Sequence, residues 1–190
     1  LNMSSRDARS RHARARIADL AAQYISEHGI QDYNLAKRKA ARHLGIPDAQ
    51  GLPSNEEVDS ALIQRQDLYD PEEQATILAA LREQAIAVMR VFHRFAPSLT
   101  GAVAIGAVSE HSLIELEITA DSSKDFEQFL VNQGIEFKIQ DRGGRMAYLL
   151  YAEPADVQVR LISAENHFAQ NGTRPRLSLA QLAKLSHPGE

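Results

Sequence analysis

The sequence predicts an α+β protein with an all-helical amino-terminal region. Apolar residues recur every three or four positions over most of the first 95 residues, which indicates amphipathic helices. After Pro97 the spacing changes to two, as is typical of strands with one buried face. A helical segment still follows the first alternating strand, so we expect a mixed or antiparallel sheet covered by helices. We therefore divide the chain into a helical region, 1–70, and an α+β domain, 71–190.

Four helices are expected before the alternating region. The first covers about 10–28 and the second about 33–44, and each is followed by a glycine that ends it. The third begins after Ser54, which precedes acidic residues as a helix start often does. The fourth covers about 71–95 with Asp70 as its cap, and its broad apolar stripe predicts packing against the core.

The strand predicted at 112–118 alternates strictly. Ile114 and Leu116 share one face, while Glu115 and Glu117 share the other. Only the apolar face is cheap to bury, so we expect the acidic face at the surface. Further along the chain we expect a helix at about 124–133, strands at 135–140, 146–152 and 157–162, and a last helix at 178–186.

The composition excludes several classes of protein. The chain has no cysteine, which excludes disulfides, thiolate metal sites and a cysteine nucleophile. It has no apolar run near the roughly 18 residues that a membrane span needs, and residues 1–16 lack the apolar stretch of a secretory signal. We therefore expect a cytoplasmic protein that does not associate with membranes.

Charge is divided unevenly along the chain. Residues 1–45 carry nine Lys and Arg against four Asp and Glu, a net charge of +5, although the whole chain has −4. Arg38, Lys39 and Arg42 lie on the second predicted helix, where they can contact nucleic-acid phosphates without reading bases. A solvated basic face is the other interpretation of these three residues.

Residues 16–46 resemble the opening of bacterial transcription repressors of the tetracycline-repressor type. In that family a long first helix is followed by a helix-turn-helix, so a recognition helix would have to follow Gly45. The sequence continues instead with Pro47, Gly51 and Pro53, which break helices. The resemblance thus implies at most a regulatory or nucleic-acid-binding role that does not depend on base sequence.

A second resemblance covers residues 99–118. They resemble the signature of the nucleotidyltransferase superfamily, the polymerase-beta-like fold. Gly101-Ala102 stands where that family has Gly-Ser at the end of a strand, and Gly106 stands where it has a second glycine. Ser-Leu-Ile-Glu-Leu at 112–116 stands where it usually reads Ser-Asp-Ile-Asp-Leu. The resemblance implies an α+β nucleotide-binding fold in which alternating carboxylates hold Mg²⁺ against the phosphates.

This sequence departs from that signature at the acids. Leu113 replaces the first aspartate and Glu115 the second, and Glu115 with Glu117 forms an acidic pair shifted by one strand repeat, about 6.6 Å. The resemblance implies that Glu115 and Glu117 bind metal, with Asp156 as third carboxylate and general base. It also implies that Gly101, Ala102 and Gly106 line the phosphates. A solvated strand face is the alternative interpretation of the two glutamates.

We therefore expect a nucleotidyltransferase-like protein with eroded metal-binding acids. It would bind a nucleotide or a partner, with Mg²⁺ as the implied cofactor, and transfer of a nucleotidyl group would be weak or lost. Residues 14–167 are also similar to a small bacterial family labelled UDP-N-acetylmuramate-alanine ligase. The sequence gives that activity no support, because it contains no Gly-Lys phosphate loop.

Other candidate motifs are less specific. None of the seven histidines has a metal-ligand spacing such as His-Glu-x-x-His. Arg142 and Arg145 flank two glycines in a predicted hairpin, where backbone amides can form a nest for phosphate. A charged, solvated hairpin tip is the alternative.

Overall fold

The protein consists of helices and one mixed six-stranded sheet, which confirms the predicted α+β class. The computed structural model describes residues 3–47, 51–66, 71–141, 146–162 and 175–186. The described helices are α1 (Met3–His28), α2 (Tyr33–His43), α3 (Asn55–Gln66), α4 (Pro71–Val91), α5 (Gly101–Ile105), α6 (Ser123–Asn132) and α7 (Leu179–Ser186), with a 3₁₀ turn at His93–Phe95. The described strands are β1 (Ser98–Thr100), β2 (Ile114–Thr119), β3 (Phe137–Asp141), β4 (Met146–Leu150), β5 (Val157–Ile162) and β6 (Leu177–Ser178).

The chain divides into two compact units. One unit, here the helical unit, lies within residues 1–74 and 107–112. The other, here the sheet unit, lies within residues 75–106 and 113–190 and contains every strand of the sheet described above.

Small residues form much of the core of the helical unit. α1 packs against α2 and α3, and the buried residues are Ile17, Ala18, Ala21, Ala22, Tyr24, Ala36, Ala40, Ala41, Val58 and Leu62. Alanine lets helix backbones approach closely while it favours the helix itself. α1 begins at Met3, earlier than the predicted residue 10, although residues 3–9 have no apolar period that would indicate a helix.

In the sheet unit the strand order is β3-β4-β5-β2-β1-β6. β2 and β5 are parallel, and the other neighbours are antiparallel. The centre of one face of the sheet is apolar and buried, with Leu116 opposite Val159 and Val159 opposite Tyr148. Phe126 of α6 lies on this face, with its ring 5.3 Å from the Tyr148 ring. The helices therefore cover the apolar face, as the alternation of β2 predicts.

Two local features differ from the sequence prediction. β2 begins at Ile114 rather than residue 112, because Ser112 accepts a hydrogen bond from the Ser109 amide in a turn, at 2.8 Å. β6 pairs with β1 just before the last helix, and no strand was predicted there. A strand of two residues is too short to show alternation. The predicted cap Asp70 lies outside the described residues.

Candidate functional site

The parallel pairing of β2 with β5 places acids and an arginine on one face of the sheet. Glu115 lies opposite Gln158, and Glu117 lies opposite Arg160. Partners in a ladder point to the same side, so these four side chains share the polar face of the sheet. The apolar partners of Leu116 and Ile118 lie on the opposite face.

Two arginines pair with the two glutamates. Nη2 of Arg160 lies 3.7 Å from Oε2 of Glu115 and 3.5 Å from Oε1 of Glu117. Nε of Arg176 lies 2.9 Å from Oε2 of Glu117. We call these four residues the arginine–glutamate cluster. Its arginine side chains are about one third exposed, at 33% and 34%, whereas the Glu117 side chain is only 12% exposed.

The burial of Glu117 differs from the solvated strand face that the sequence offered as an alternative. A carboxylate leaves water at a high cost unless charged partners compensate it. Arg160 and Arg176 supply that compensation from β5 and from the residue before β6. Alternation along β2 identified the acidic face, but no local pattern in the sequence identifies its distant arginine partners.

The two predicted glycines flank a short helix. β1 ends at Thr100, and α5 then connects Gly101 to Gly106, which have φ of +71° and +80°. A Cβ at Gly101 would collide with the Glu115 carboxylate, so the absence of a side chain lets that carboxylate lie against the backbone. Ala102 is half-buried within α5, where it accepts the amide of Gly106 at its carbonyl. The missing side chain of Gly101 therefore leaves room for the Glu115 carboxylate.

Arg82 of α4 is a cation that the sequence analysis did not single out. Its Nη2 would lie 3.7 Å from a Cβ placed at Gly106. Burial lowers the pKa of the Arg82 guanidinium, although it stays charged at neutral pH. The sequence around Arg82 did not indicate this role, because the fold alone brings α4 close to Gly106.

Asp156 lies just before β5 and is engaged in its own loop. Its Oδ1 accepts a hydrogen bond from the amide of Ala152 at 3.1 Å, and its carbonyl accepts one from Ile114 at 3.0 Å. Its register lies one strand repeat beyond Gln158, the partner of Glu115. The predicted role of Asp156 as third metal ligand and general base stays a prediction.

As the residues stand, the acid pair does not fit a divalent metal. Both carboxylates of Glu115 and Glu117 face guanidinium nitrogen atoms. Within the described ranges, no three His, Cys, Asp or Glu side chains are grouped so that they could hold a metal ion. Mg²⁺ requires oxygen ligands at about 2.1 Å in near-octahedral geometry. The partners that the structure describes for these two carboxylates are guanidinium nitrogen atoms, which are not metal ligands.

The basic helix α2 presents only part of its charge to solvent. Arg38, Lys39 and Arg42 are exposed, and Lys39 lies 4.9 Å from the centre of the Tyr24 ring. None of these three cations forms an ion pair with a carboxylate among the residues that the structure describes. Lys37 is buried instead. The exposed surface is thus a three-residue basic patch.

The histidines and the hairpin add little to the site. His43 Nδ1 lies 2.9 Å from the hydroxyl of Tyr24, which gives this histidine a packing role between α1 and α2. Arg142 and Arg145 of the predicted phosphate nest, and His167, lie outside the described residues. Within the described chain, no helix combines the length and the apolar character needed to cross a membrane.

The chain matches no protein-family model and no curated protein. A cytoplasmic RNA terminal U-transferase aligns with a TM-score of 0.34 and 16% identity, over 56% of this chain and 35% of that one. A structure of Cid1, named for RNA terminal uridylyl transferase activity, aligns with a TM-score of 0.34 and 14% identity, over 56% and 36%. The Cid1 poly(U) polymerase bound to MgATP aligns with a TM-score of 0.33 and 16% identity, over 57% and 38%. This chain thus spans little more than a third of each neighbour, and TM-scores of this size do not transfer an activity.

Proposed function

We propose that the sheet unit is a nucleotidyltransferase-like domain that binds a nucleotide without metal-dependent nucleotidyl transfer. The observation that carries this proposal is the position of Arg160, whose Nη2 lies within 3.7 Å of both glutamates. Two-carboxylate phosphoryl transfer depends on metal ions that neutralise charge and position the phosphates. A guanidinium held by both acids prevents them from doing so.

Cations near the glycines support nucleotide binding. Arg82 lies beside Gly106, and Arg160 and Arg176 remain about one third exposed. Guanidinium groups bind phosphate through charge-assisted hydrogen bonds and need no metal. We propose that Arg82 contacts a phosphate beside Gly106, with Gly101 and Ala102 at the other end of α5. Because the chain lacks cysteine, we also propose the reducing cytoplasm as its location.

The test measures binding and transfer separately. Each labelled nucleoside triphosphate is titrated against the protein in EDTA, and affinity is read by calorimetry. We expect binding without metal, weakened at least about tenfold in Arg82→Gln because one charge-assisted hydrogen bond to phosphate is lost. Arg90→Gln, which removes an exposed arginine from the same helix, is the matched control and should bind as the wild type does.

Transfer is then measured with Mg²⁺ or Mn²⁺, a labelled nucleotide and a cell lysate as acceptor source. The proposal predicts no metal-dependent label transfer by the wild type. Label transfer that Glu115→Gln abolishes would make the protein an active transferase. If no nucleotide binds with or without metal, nucleotide binding is wrong.

A second candidate function is nucleic-acid binding by the helical unit. The observation that favours it is the exposed patch of Arg38, Lys39 and Arg42 on α2. Replacing each with alanine should reduce retention on a labelled polynucleotide at low salt and lower the slope of log affinity against log salt by about one per phosphate contact. Lys138→Ala, which removes an exposed lysine from β3, is the control. Absence of retention by the wild type at low salt would exclude this function.

A further inference from the structure

We infer that Arg160 and Arg176 take the place of a divalent cation between Glu115 and Glu117, and that removal of Arg160 converts these glutamates into a divalent-cation site. The inference rests on the proposed function and deepens it, because it names what holds the two carboxylates together. Its test needs no nucleotide and no activity.

The bridging position of one nitrogen is the first argument. Nη2 of Arg160 contacts both carboxylates, at 3.7 Å from Glu115 and 3.5 Å from Glu117. A metal ion shared by two carboxylates occupies this same kind of position, with each oxygen at about 2.1 Å for Mg²⁺. The guanidinium would have to leave before an ion could enter.

The charge balance of the arginine–glutamate cluster is the second argument. Among the described residues, two carboxylates face two guanidinium groups, which together carry the charge of one divalent cation. Arginine stays charged at any pH at which the protein is folded, so acid–base titration does not empty this place. A divalent ion added to the intact cluster would meet two positive groups within a few ångströms, and their repulsion opposes binding.

The fixed position of the acids is the third argument. The Glu115 carboxylate lies against Gly101, where no Cβ can fit. Glu117 is buried, with 9% of the whole residue exposed, and it lies on a strand that is paired on both sides. The two carboxylates are therefore held close to one point by the backbone, and they should stay there when Arg160 is shortened. Closely spaced carboxylates without a compensating charge attract divalent cations.

The test is a Mn²⁺ titration followed by electron paramagnetic resonance of the free ion. We expect no wild-type site that depends on Glu117, and at least about a tenfold gain in Mn²⁺ affinity in Arg160→Met. Methionine retains the apolar volume of the arginine stem and removes its charge. The gain should disappear in the double variant Arg160→Met/Glu117→Gln. Arg90→Met, at an exposed position of α4, should behave as the wild type does.

Two outcomes would overturn the inference. One is Mn²⁺ binding by the wild type that Glu117→Gln abolishes, and the other is a folded Arg160→Met that gains no Mn²⁺ affinity. Circular dichroism establishes folding. If Arg160→Met does not fold, Arg160→Gln is titrated in its place, because it also removes the guanidinium charge from the bridging position, and the same gain is required. Glu117-dependent Mn²⁺ binding by the wild type without label transfer would overturn only this inference, whereas failure to bind any nucleotide would overturn only the proposed function.

Discussion

The two units differ in how they pair a buried charge. In the helical unit the buried Lys37 joins two helices through uncharged acceptors. In the sheet unit two arginines pair with the buried carboxylate of Glu117. Lys37 donates to the carbonyl of Pro53 at 3.0 Å and to Asn55 Oδ1 at 2.8 Å. These contacts attach α2 to the start of α3. Arg38 and Arg42 of the same helix stay exposed.

The arginine–glutamate cluster of the sheet unit collects its members from distant parts of the chain. Glu115 and Glu117 come from β2, Arg160 from β5 and Arg176 from the residue before β6. Forming the cluster therefore requires the sheet, whereas the Lys37 contacts need only one helix and the next connection. The cations therefore differ in exposure: Arg38 and Arg42 of α2 are exposed, whereas Arg160 and Arg176 contact acids and are only about one third exposed.

The largest change in stability that tests this comparison is expected from substitution of Lys37. Lys37→Met leaves the buried Pro53 carbonyl and the half-buried Asn55 Oδ1 without their donor. Hydrogen bonds from a charged group contribute about 1.5–3 kcal/mol each. We expect a loss of roughly 2–3 kcal/mol in the free energy of unfolding, measured by urea denaturation. Arg38→Met, one position along the helix and exposed, should change it by less than about 0.5 kcal/mol. Equal effects would mean that the burial of Lys37 does not stabilise the protein.

Tyr148 offers a smaller and pH-dependent effect in the sheet unit. Burial, together with a hydrogen bond of 2.7 Å to Glu127, raises the pKa of Tyr148 to about 12. Tyr148→Phe should cost about 1 kcal/mol at neutral pH, through loss of that hydrogen bond.

At alkaline pH the protein loses stability because folded Tyr148 keeps its hydroxyl proton to a higher pH than unfolded tyrosine does. The unfolded tyrosine ionises near pH 10, while folded Tyr148 keeps its proton to about pH 12. The contribution of Tyr148 to stability is therefore complete below pH 10 and is lost as the pH rises toward 12. Thermal unfolding between pH 9 and about 12 should show a steeper loss for the wild type than for Tyr148→Phe. Parallel curves would contradict this assignment.

Patterns along the sequence predicted the helices, the alternation of β2 and the candidate glutamates, because each depends on neighbours a few positions apart. Position 37 shows where such patterns stop. Leu35 of α2 is apolar, yet it is 55% exposed, whereas the charged Lys37 is only 6% exposed. Lys37 points inward because Pro53 and Asn55 accept hydrogen bonds from its ammonium group. Neither residue belongs to the helical period of α2, so the pattern does not predict this orientation.

The candidate site shows the same limit more strongly. The acids on β2 follow from spacing, but their pairing with Arg160 requires the parallel register of β2 and β5, and their pairing with Arg176 requires β6. Register and strand order are long-range properties that a period of two does not specify. The sequence therefore indicated a metal pair and placed Arg160 on the outward face of the 157–162 strand, but it did not indicate that Arg160 and Arg176 pair with the two acids.

The smallest expected effect concerns a feature that the two units share. A capping box begins α3, where Ser54 Oγ accepts from the amide of Glu57 at 3.1 Å, and another begins α7, where Ser178 Oγ accepts from Gln181 at 3.3 Å. In each box the longer side chain accepts from the serine amide in return. Ser54→Ala and Ser178→Ala should each cost about 0.5–1 kcal/mol in thermal unfolding. Ser60→Ala is the control, since its hydroxyl only bonds back to the Glu56 carbonyl within α3, and it should be close to neutral. If Ser54→Ala and Ser178→Ala lower the stability no more than Ser60→Ala does, packing alone holds the two helix starts. If both lower it by a similar amount, capping stabilises the helices of the two units equally, although the units differ in how they pair their buried charges.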